Sequence, residues 1–381
     1  VSRNEIACTC SLGVSLGWLQ ARSGEGEGDT LVDTPAYGEV RSKPEENRLF
    51  TDVADENKLG GGNPFLESVS GARYMRPVEI MENLFFIQRG FLNGNHFVYR
   101  CERPVLIDTG YIADFDVTEE RIKSLGVDLR QTELIVNTHC HCDHIGGNKI
   151  VQDRSSCDIA MHRIGKHFID KRDDWSTWWR YYHQEAAFFD CTRGLEHGDV
   201  ISIGPHTFDV IYTPGHASDG IVLYNAKEKV LISSDTLWED DMPAITIRVE
   251  GSGACFSLLE SLEKLGRLDV KVVYPGHGRP FTDMACAIGK TRKRLEGYLR
   301  DQRKVGNDQL KKIIVYTLLM KKSVDEQSFF DLLMTTHWYP ETVDLYFSGK
   351  YRPKYDEITK GLFLRGIVRT RDGKLSTTVK P

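Results

Sequence analysis

From Pro77 onward apolar and polar residues alternate in short bursts, and the period switches repeatedly between that of a strand and that of a helix. Val78 to Gln88, His96 to Arg100 and Pro104 to Asp108 are β-prone runs separated by Gly, Asn and Pro, which predicts an antiparallel meander. Asp116 or Thr118 then caps a helix through Leu125, with Gly126 as its stop, and Leu134 to Val136 reads as a short buried strand. A helix over Asn148 to Arg154 and a strand over Asp158 to His162 follow. Residues 164 to 190 predict a helical stretch crowded with Trp175, Trp178, Trp179, Tyr181, Tyr182, Phe188 and Phe189, on more faces than packing against one core can use. Strands are expected at Val200 to Ile203, Thr207 to Tyr212, Ile221 to Tyr224, Val230 to Ile232 and Val270 to Tyr274, with helices at Ser257 to Leu265 and Met284 to Val305. This alternation is α/β in character. Asn307 or Asp308 caps a further helix to Lys321, Ser323 caps one to Met334, and others follow Pro340 and Tyr355. Gly366 to Arg369 and Leu375 to Val379 flank an Asp-Gly turn, so the C-terminal piece reads as a winged-helix-like unit.

Residues 1 to 74 show no sustained period and contain GEGEGD and LGGGN, which predicts a mostly disordered N-terminal extension, dispensable for chemistry. Cys8 to Ala21 is mildly apolar and ends in small residues, as a secretory signal does, but its flanks are poor for one. Met75 opens the first well-patterned segment and is an alternative start. The expected division is an extension over 1–74, a catalytic domain over 75–283 and a C-terminal helical domain over 284–381. No apolar run approaches the roughly twenty residues of a bilayer-spanning helix, so no membrane partner is expected. Cys140 and Cys142 lie between candidate ligands, where a disulfide would compete with the site. A reducing, cytoplasmic location is the expectation. The net charge is −6, yet residues 284–381 carry 20 Lys and Arg against 11 Asp and Glu. That basic balance fits either a solvated helical surface or a polyanionic partner.

The chemistry concentrates in Glu133 to Asn148, ELIVNTHCHCDHIGGN. His139, His141, Asp143 and His144 follow a strand and precede Gly146 and Gly147. Alternation at a strand end puts His139 and His141 on one side, and the turn after them aims Asp143 and His144 at a second point nearby. Three more candidates each follow an apolar run: His216 in TPGHASDG, Asp235 in LISSDTLW and His277 in VVYPGHGRP. Any one alone reads as a capped turn residue. Side chains at strand ends on one rim of a sheet converge, and together the seven make a complete metal-binding count.

THCHCDHIGG, TPGH, the Asp of SSDTLW and PGHG, in that order and preceded by VLIDTG, resemble the metallo-β-lactamase-fold hydrolases over about residues 77 to 280. The resemblance implies an αββα four-layer sandwich in which His139, His141 and His216 hold one metal, Asp143, His144 and His277 hold another, and Asp235 bridges them. Such nitrogen and oxygen sets suit two Zn²⁺, with Fe²⁺ or Mn²⁺ accepted at the carboxylate-richer position. Two ions about 3.5 to 4 Å apart can share a water and present hydroxide to a carbonyl or phosphoryl centre. Asp143 is the expected catalytic carboxylate besides being a ligand, and Asp108 the expected outer residue holding a ligand histidine in its tautomer.

Asp235 stands where true β-lactamases of this fold generally carry Cys or Ser, so antibiotic hydrolysis is the minor reading. The pattern looks more like the glyoxalase II and lactonase branch, acting on an ester, thioester or lactone carbonyl. The aromatic segment suggests an apolar or aromatic acyl substrate, with Trp178, Trp179, Tyr182 and Trp238 as its candidate contacts. The alternative is a metal-dependent ribonuclease or phosphodiesterase using the basic C-terminal domain to hold nucleic acid, although that piece lacks the aromatic and basic interleaving that stacks bases. A non-catalytic metal-stabilised module is a third class, disfavoured because seven ligands for two ions leave positions open to water. A homodimer is compatible with all three.

Overall fold

The computed structural model describes residues 66–69 and 72–381. The expected extension and secretory segment therefore fall largely outside the described residues, although Leu66–Val69 pairs antiparallel with Ala72–Met75 just ahead of the first predicted strand.

Two sheets are built in chain order. The first has seven strands, Val78–Met81, Leu84–Ile87, His96–Tyr99, Val105–Ile107, Leu134–Val136, Asp158–His162 and Arg193–Leu195, each beside its successor. The first four run antiparallel as the predicted meander, and the last four are mutually parallel. The second has Val200–Ile203, His206–Tyr212, Ile221–Asn225 and Val230–Ser234 antiparallel, then Val272–Pro275 parallel to its neighbour.

Period-2 alternation decides what each face buries. Leu84, Phe86, Phe97, Ile107 and Val136 from the first sheet meet Ile201, Phe208, Val210, Leu223 and Ile232 from the second in one core. The opposite face of the first sheet, with Ile87, Val98, Leu106, Ile135 and Ile159, packs on Phe115, Ile122 and Val151 of the helices Phe115–Lys123 and Asn148–Ser155. The outer face of the second sheet, with Val222, Leu231 and Val273, packs on the helices Ala254–Leu265 and Met284–Arg300. This is the expected four-layer αββα sandwich.

Several predicted elements need correction. Val78 to Gln88 is a hairpin, because Asn83 adopts a left-handed backbone, φ 57°, and Glu79 accepts its N–H at 2.8 Å. Residues 164–190 are not one helix: Arg163–Lys171 stops at left-handed Arg172, and only Trp179–Tyr182 resumes before left-handed His183. The long C-terminal helix breaks at extended Asp301, whose carboxylate accepts from Arg303 N–H at 3.2 Å and starts the helix Arg303–Lys321. Ser323 opens a strand rather than a helix. Val324–Asp325 pairs with Lys374–Thr377, Asp325 Oδ1 accepts from the N–H groups of Gln327 and Ser328, and the helix starts at Phe329.

The C-terminal hairpin Val368–Arg371 and Lys374–Thr377 turns on Asp372 and Gly373, both at positive φ, as a two-residue loop requires. With the helices Trp338–Phe347 and Tyr351–Leu364 it forms a helical C-terminal region carrying a small sheet. Its apolar residues Leu310, Ile314, Trp338 and Tyr339 continue the same cluster that covers the first sheet, so this region shares that core.

Phe208 is fully buried between the sheets. Phe208→Ala is expected to cost about 3–5 kcal/mol, read as a lowered urea midpoint; a loss below about 1 kcal/mol would show that the inter-sheet layer contributes little.

Candidate metal centre

The parallel pairs Val105–Ile107 with Leu134–Val136, and Val230–Ser234 with Val272–Pro275, bring four strand ends to one rim. From that rim the chain delivers Asp108, then His139 and His141, then Asp235, then His277. The strand His206–Tyr212 adds His216, and the four-residue helix Cys142–Ile145 carries Asp143 and His144. The seven predicted ligands thus converge, all buried. Ligand atoms of three sets lie within 4.8 Å of one another: His139, His141, His216; His139, His144, Asp235; and Asp143, His144, His277.

Every imidazole is tethered by one nitrogen. His144 Nδ1 donates to Asp108 Oδ2 at 2.8 Å, His216 Nδ1 to Ala244 O at 2.8 Å, and His277 Nδ1 to Gly90 O at 3.1 Å. His141 Nε2 donates to Glu250 Oε1 at 3.2 Å, and His139 Nδ1 faces Thr138 Oγ1 at 3.2 Å. The other nitrogens turn inward. Nε2 of His139, His144 and His277 is buried without any hydrogen-bond partner, while His141 Nδ1 and His216 Nε2 face each other at 3.0 Å. Buried imidazole nitrogens left without a hydrogen-bond partner are costly and are what a cation satisfies, so the donor set fits metal ions. Asp235 Oδ2 lies between the sets, 3.4 Å from His216 Nε2, 3.6 Å from His277 Nε2 and 3.7 Å from His144 Nε2.

Electrostatics follow the geometry. Burial holds His139 well below the ordinary imidazole range, His141 at about 3 and His216 at about 4, so these three stay neutral and able to ligate. Burial also opposes charge on His144, but Asp108, Asp235 and Asp143 outweigh it and raise its pKa well above the usual value. Burial opposes ionisation of Asp143, and His144 and His277 overcome it, holding the carboxyl at about 2.

Backbone conformation serves the site. Asp108 at φ 57° and Ser234 at φ 46° are non-glycine residues in the left-handed region, each at a strand end that feeds the centre. A Cβ on Gly276 would strike the Asp235 carboxylate, and one on Gly94 would come within 2.5 Å of the His144 ring, so both positions need glycine for close approach.

A cleft whose free space, counting the solvent at its mouth, is about 500 Å³ adjoins Asp143, His216 and Asp235. Phe91, Trp178, Trp238, Pro243, Ala244, Ile313 and Val315 make its apolar walls. Trp178, left-handed at φ 65°, stacks on His141 with ring centroids 3.8 Å apart, and Trp238 Nε1 donates to Asp235 Oδ1 at 3.2 Å. The other two aromatic candidates lie elsewhere: Trp179 packs on Phe188, and Tyr182 is buried behind Trp178, accepting from Gln309 Nε2 at 3.0 Å. Cys140 and Cys142 are free thiols. Cys142 Sγ donates to Thr177 O at 2.8 Å and so ties the aromatic segment to the metal loop.

Sequence reasoning missed four participants. Ala244, Glu250 and Gly90 carry no local motif, and Tyr316 sits in a helix to which the sequence assigned no part in the site. Tyr316 O–H donates to Asp143 Oδ2 at 2.8 Å.

Comparison with known proteins agrees with this geometry. Residues 89–277, which contain all seven ligands, match the Metallo-beta-lactamase superfamily. The chain is 26% identical over 216 residues to the probable metallo-hydrolase YqjP of Bacillus subtilis, spanning 49% of this chain and 67% of that protein. It is 28% identical over 233 residues to the human acyl-coenzyme A thioesterase MBLAC2, spanning 52% and 80%. It is also 28% identical over 189 residues to a hydroxyacylglutathione hydrolase of Rhizobium johnstonii, spanning 48% and 62%. In fold it is similar to a metallo-beta-lactamase family protein from Thermus thermophilus, with a TM-score of 0.52 and 18% identity over 78% of this chain and all of that one.

Asp108 also accepts from Thr138 N–H at 2.9 Å and Thr138 Oγ1 at 2.7 Å, so its carboxylate is fixed against His144. In Asp108→Asn the amide N–H₂ faces His144 Nδ1 and drives the proton to Nε2, where a metal would bind. The expected loss is about 10- to 100-fold in metal affinity, measured by equilibrium dialysis against a chelator; unchanged affinity would mean that His144 is oriented by other contacts.

Proposed function

Residues 89–277 form a metallo-beta-lactamase superfamily domain and the protein is a metal-dependent hydrolase; on that premise we propose that it holds two Zn²⁺ ions and cleaves thioesters of apolar acyl groups. The observation that carries this reading is the apolar cavity opening directly onto the inward-facing imidazoles and carboxylates.

His139, His141 and His216 would hold one ion and Asp143, His144 and His277 the other, with Asp235 Oδ2 between them. The second set, richer in carboxylate, is the one that would also accept Fe²⁺ or Mn²⁺. When bound, such ions polarise a carbonyl and acidify water. The remaining work falls to the chain. Asp143 stays ionised at neutral pH, so it can ligate and also accept a hydrogen bond from an attacking water. Trp238, bonded to Asp235, and Trp178, flat against His141, fix these groups while presenting apolar faces to the acyl chain. Ile313 and Val315 close the opposite wall and keep bulk water from the reacting carbon.

An acyl substrate is favoured over a phosphodiester by the state of the cation in that wall. Lys312 Nζ is taken up by Asp308 Oδ2 at 2.6 Å and by Met242 O, so it adds little positive charge for a phosphate. Two of the relatives are named for thioester substrates, an acyl-coenzyme A and a hydroxyacylglutathione, which supports the same choice.

Each buried methylene contributes about 0.8 kcal/mol, so kcat/KM should rise about four-fold per added acyl carbon until the cavity is filled. The test follows thiol release from a series of acyl thioesters, beside the matching esters and lactones, a cephalosporin and single-stranded RNA. Thioester turnover should lead and should vanish with a chelator. A rate indifferent to chain length, or RNA as the best substrate, would overturn the assignment.

A further inference from the structure

We propose that Tyr316, supplied by the C-terminal helix from outside the superfamily domain, is a positioning residue that fixes the Asp143 carboxylate and so completes the second metal set. This rests on the metal reading given under Proposed function.

The helix Arg303–Lys321 lies against the catalytic domain along one stripe. Gln309, Lys312, Ile313, Tyr316 and Met320 follow helical spacing, and four of them make polar contacts across the boundary. Gln309 Nε2 donates to Tyr182 Oη at 3.0 Å, Lys312 Nζ to Met242 O, and Tyr316 O–H to Asp143 Oδ2 at 2.8 Å, while Met320 Sδ accepts from Tyr111 O–H at 3.5 Å. The stripe fixes both the rotation and the axial register of the helix. Tyr316 is thereby delivered to the centre at a set height, with its ring half-buried and its hydroxyl turned to the carboxylate.

Asp143 needs such a contact. The oxygen that Tyr316 reaches is also 3.2 Å from His277 Nε2 and 4.0 Å from His144 Nε2, the two imidazoles of its own set. A carboxylate on a four-residue helix can rotate about its terminal torsion, and a wrong rotamer would turn the oxygen away from both rings. The phenol's hydrogen bond removes that freedom.

Tyr316→Phe retains the ring and its packing and deletes only the donor. Zn²⁺ alone is titrated calorimetrically into metal-free full-length protein, wild type and Y316F, and the urea midpoint of each metal-free protein is measured alongside. The expected result is a loss of about 10- to 100-fold in one of two binding steps, with the other step and the urea midpoint unchanged. A ring that merely packs would move none of these. Equal affinities in the two proteins overturn the proposal and leave the two-ion reading standing. Failure of the wild type to bind zinc overturns the two-ion reading itself, and this proposal with it. A uniform loss in both steps accompanied by a lower urea midpoint marks a general loss of stability rather than a specific hold on Asp143 and likewise overturns it.

Discussion

Five buried imidazoles crowded into one space are the constraint on which the rest of the structure depends. Removing a histidine from water strips its hydrogen bonds; one nitrogen of each ring is compensated by Asp108, Ala244, Gly90, Glu250 or the Thr138 hydroxyl, and the second nitrogens of His141 and His216 face only each other. The inward nitrogens of His139, His144 and His277 are left without partners, which selects for a cation as the missing one. The left-handed backbone at Asp108 and Ser234 is held against its intrinsic preference by the sheets on either side, and it aims the ligands that follow.

The C-terminal region belongs to the same physical unit. Its helix Arg303–Lys321 supplies Ile313 and Val315 to the cavity, and its apolar stripe merges with the cluster that covers the first sheet. The aromatic segment behaves likewise, since the thiol of Cys142 and the stacking of Trp178 on His141 join it to the metal loop. Part of the cavity wall therefore comes from segments inserted into or appended to the sandwich, while the candidate metal ligands come from the sandwich itself. One scaffold can in this way keep its chemistry while its cavity walls change.

What could be read in the sequence followed the same division. The ligands stand at the ends of short apolar runs, and both the runs and the polar residues after them are local signals, so His139 through His277 and the strands carrying them were legible. The partners that tether those histidines were mostly not. Ala244 and Gly90 act through backbone carbonyls, which any residue could offer, and Glu250 and Tyr316 approach from sequence-distant elements by tertiary packing alone. Asp108 was the exception, because it ends a predicted strand. The aromatic segment was misread as one helix because hydrophobic spacing does not report left-handed residues such as Arg172 and Trp178. Ser323 reads as a cap because the pairing of Val324 with Leu375, some fifty residues on, leaves no local signal.

The close seating of the chain's last described residues has a consequence for how this enzyme can be dissected. Phe91 N–H donates to Lys380 O at 3.0 Å, and the neighbouring Gly90, whose carbonyl holds His277, has room for no side chain because the backbone of Pro381 lies against it. A shortened version ending at the last ligand would keep every coordinating atom yet lose the brace beneath one of them, along with the greasy partner of a large sheet face. Trimming to the superfamily portion would thus yield a sticky, loosely wired remnant, and any piece worth purifying has to run through Pro381.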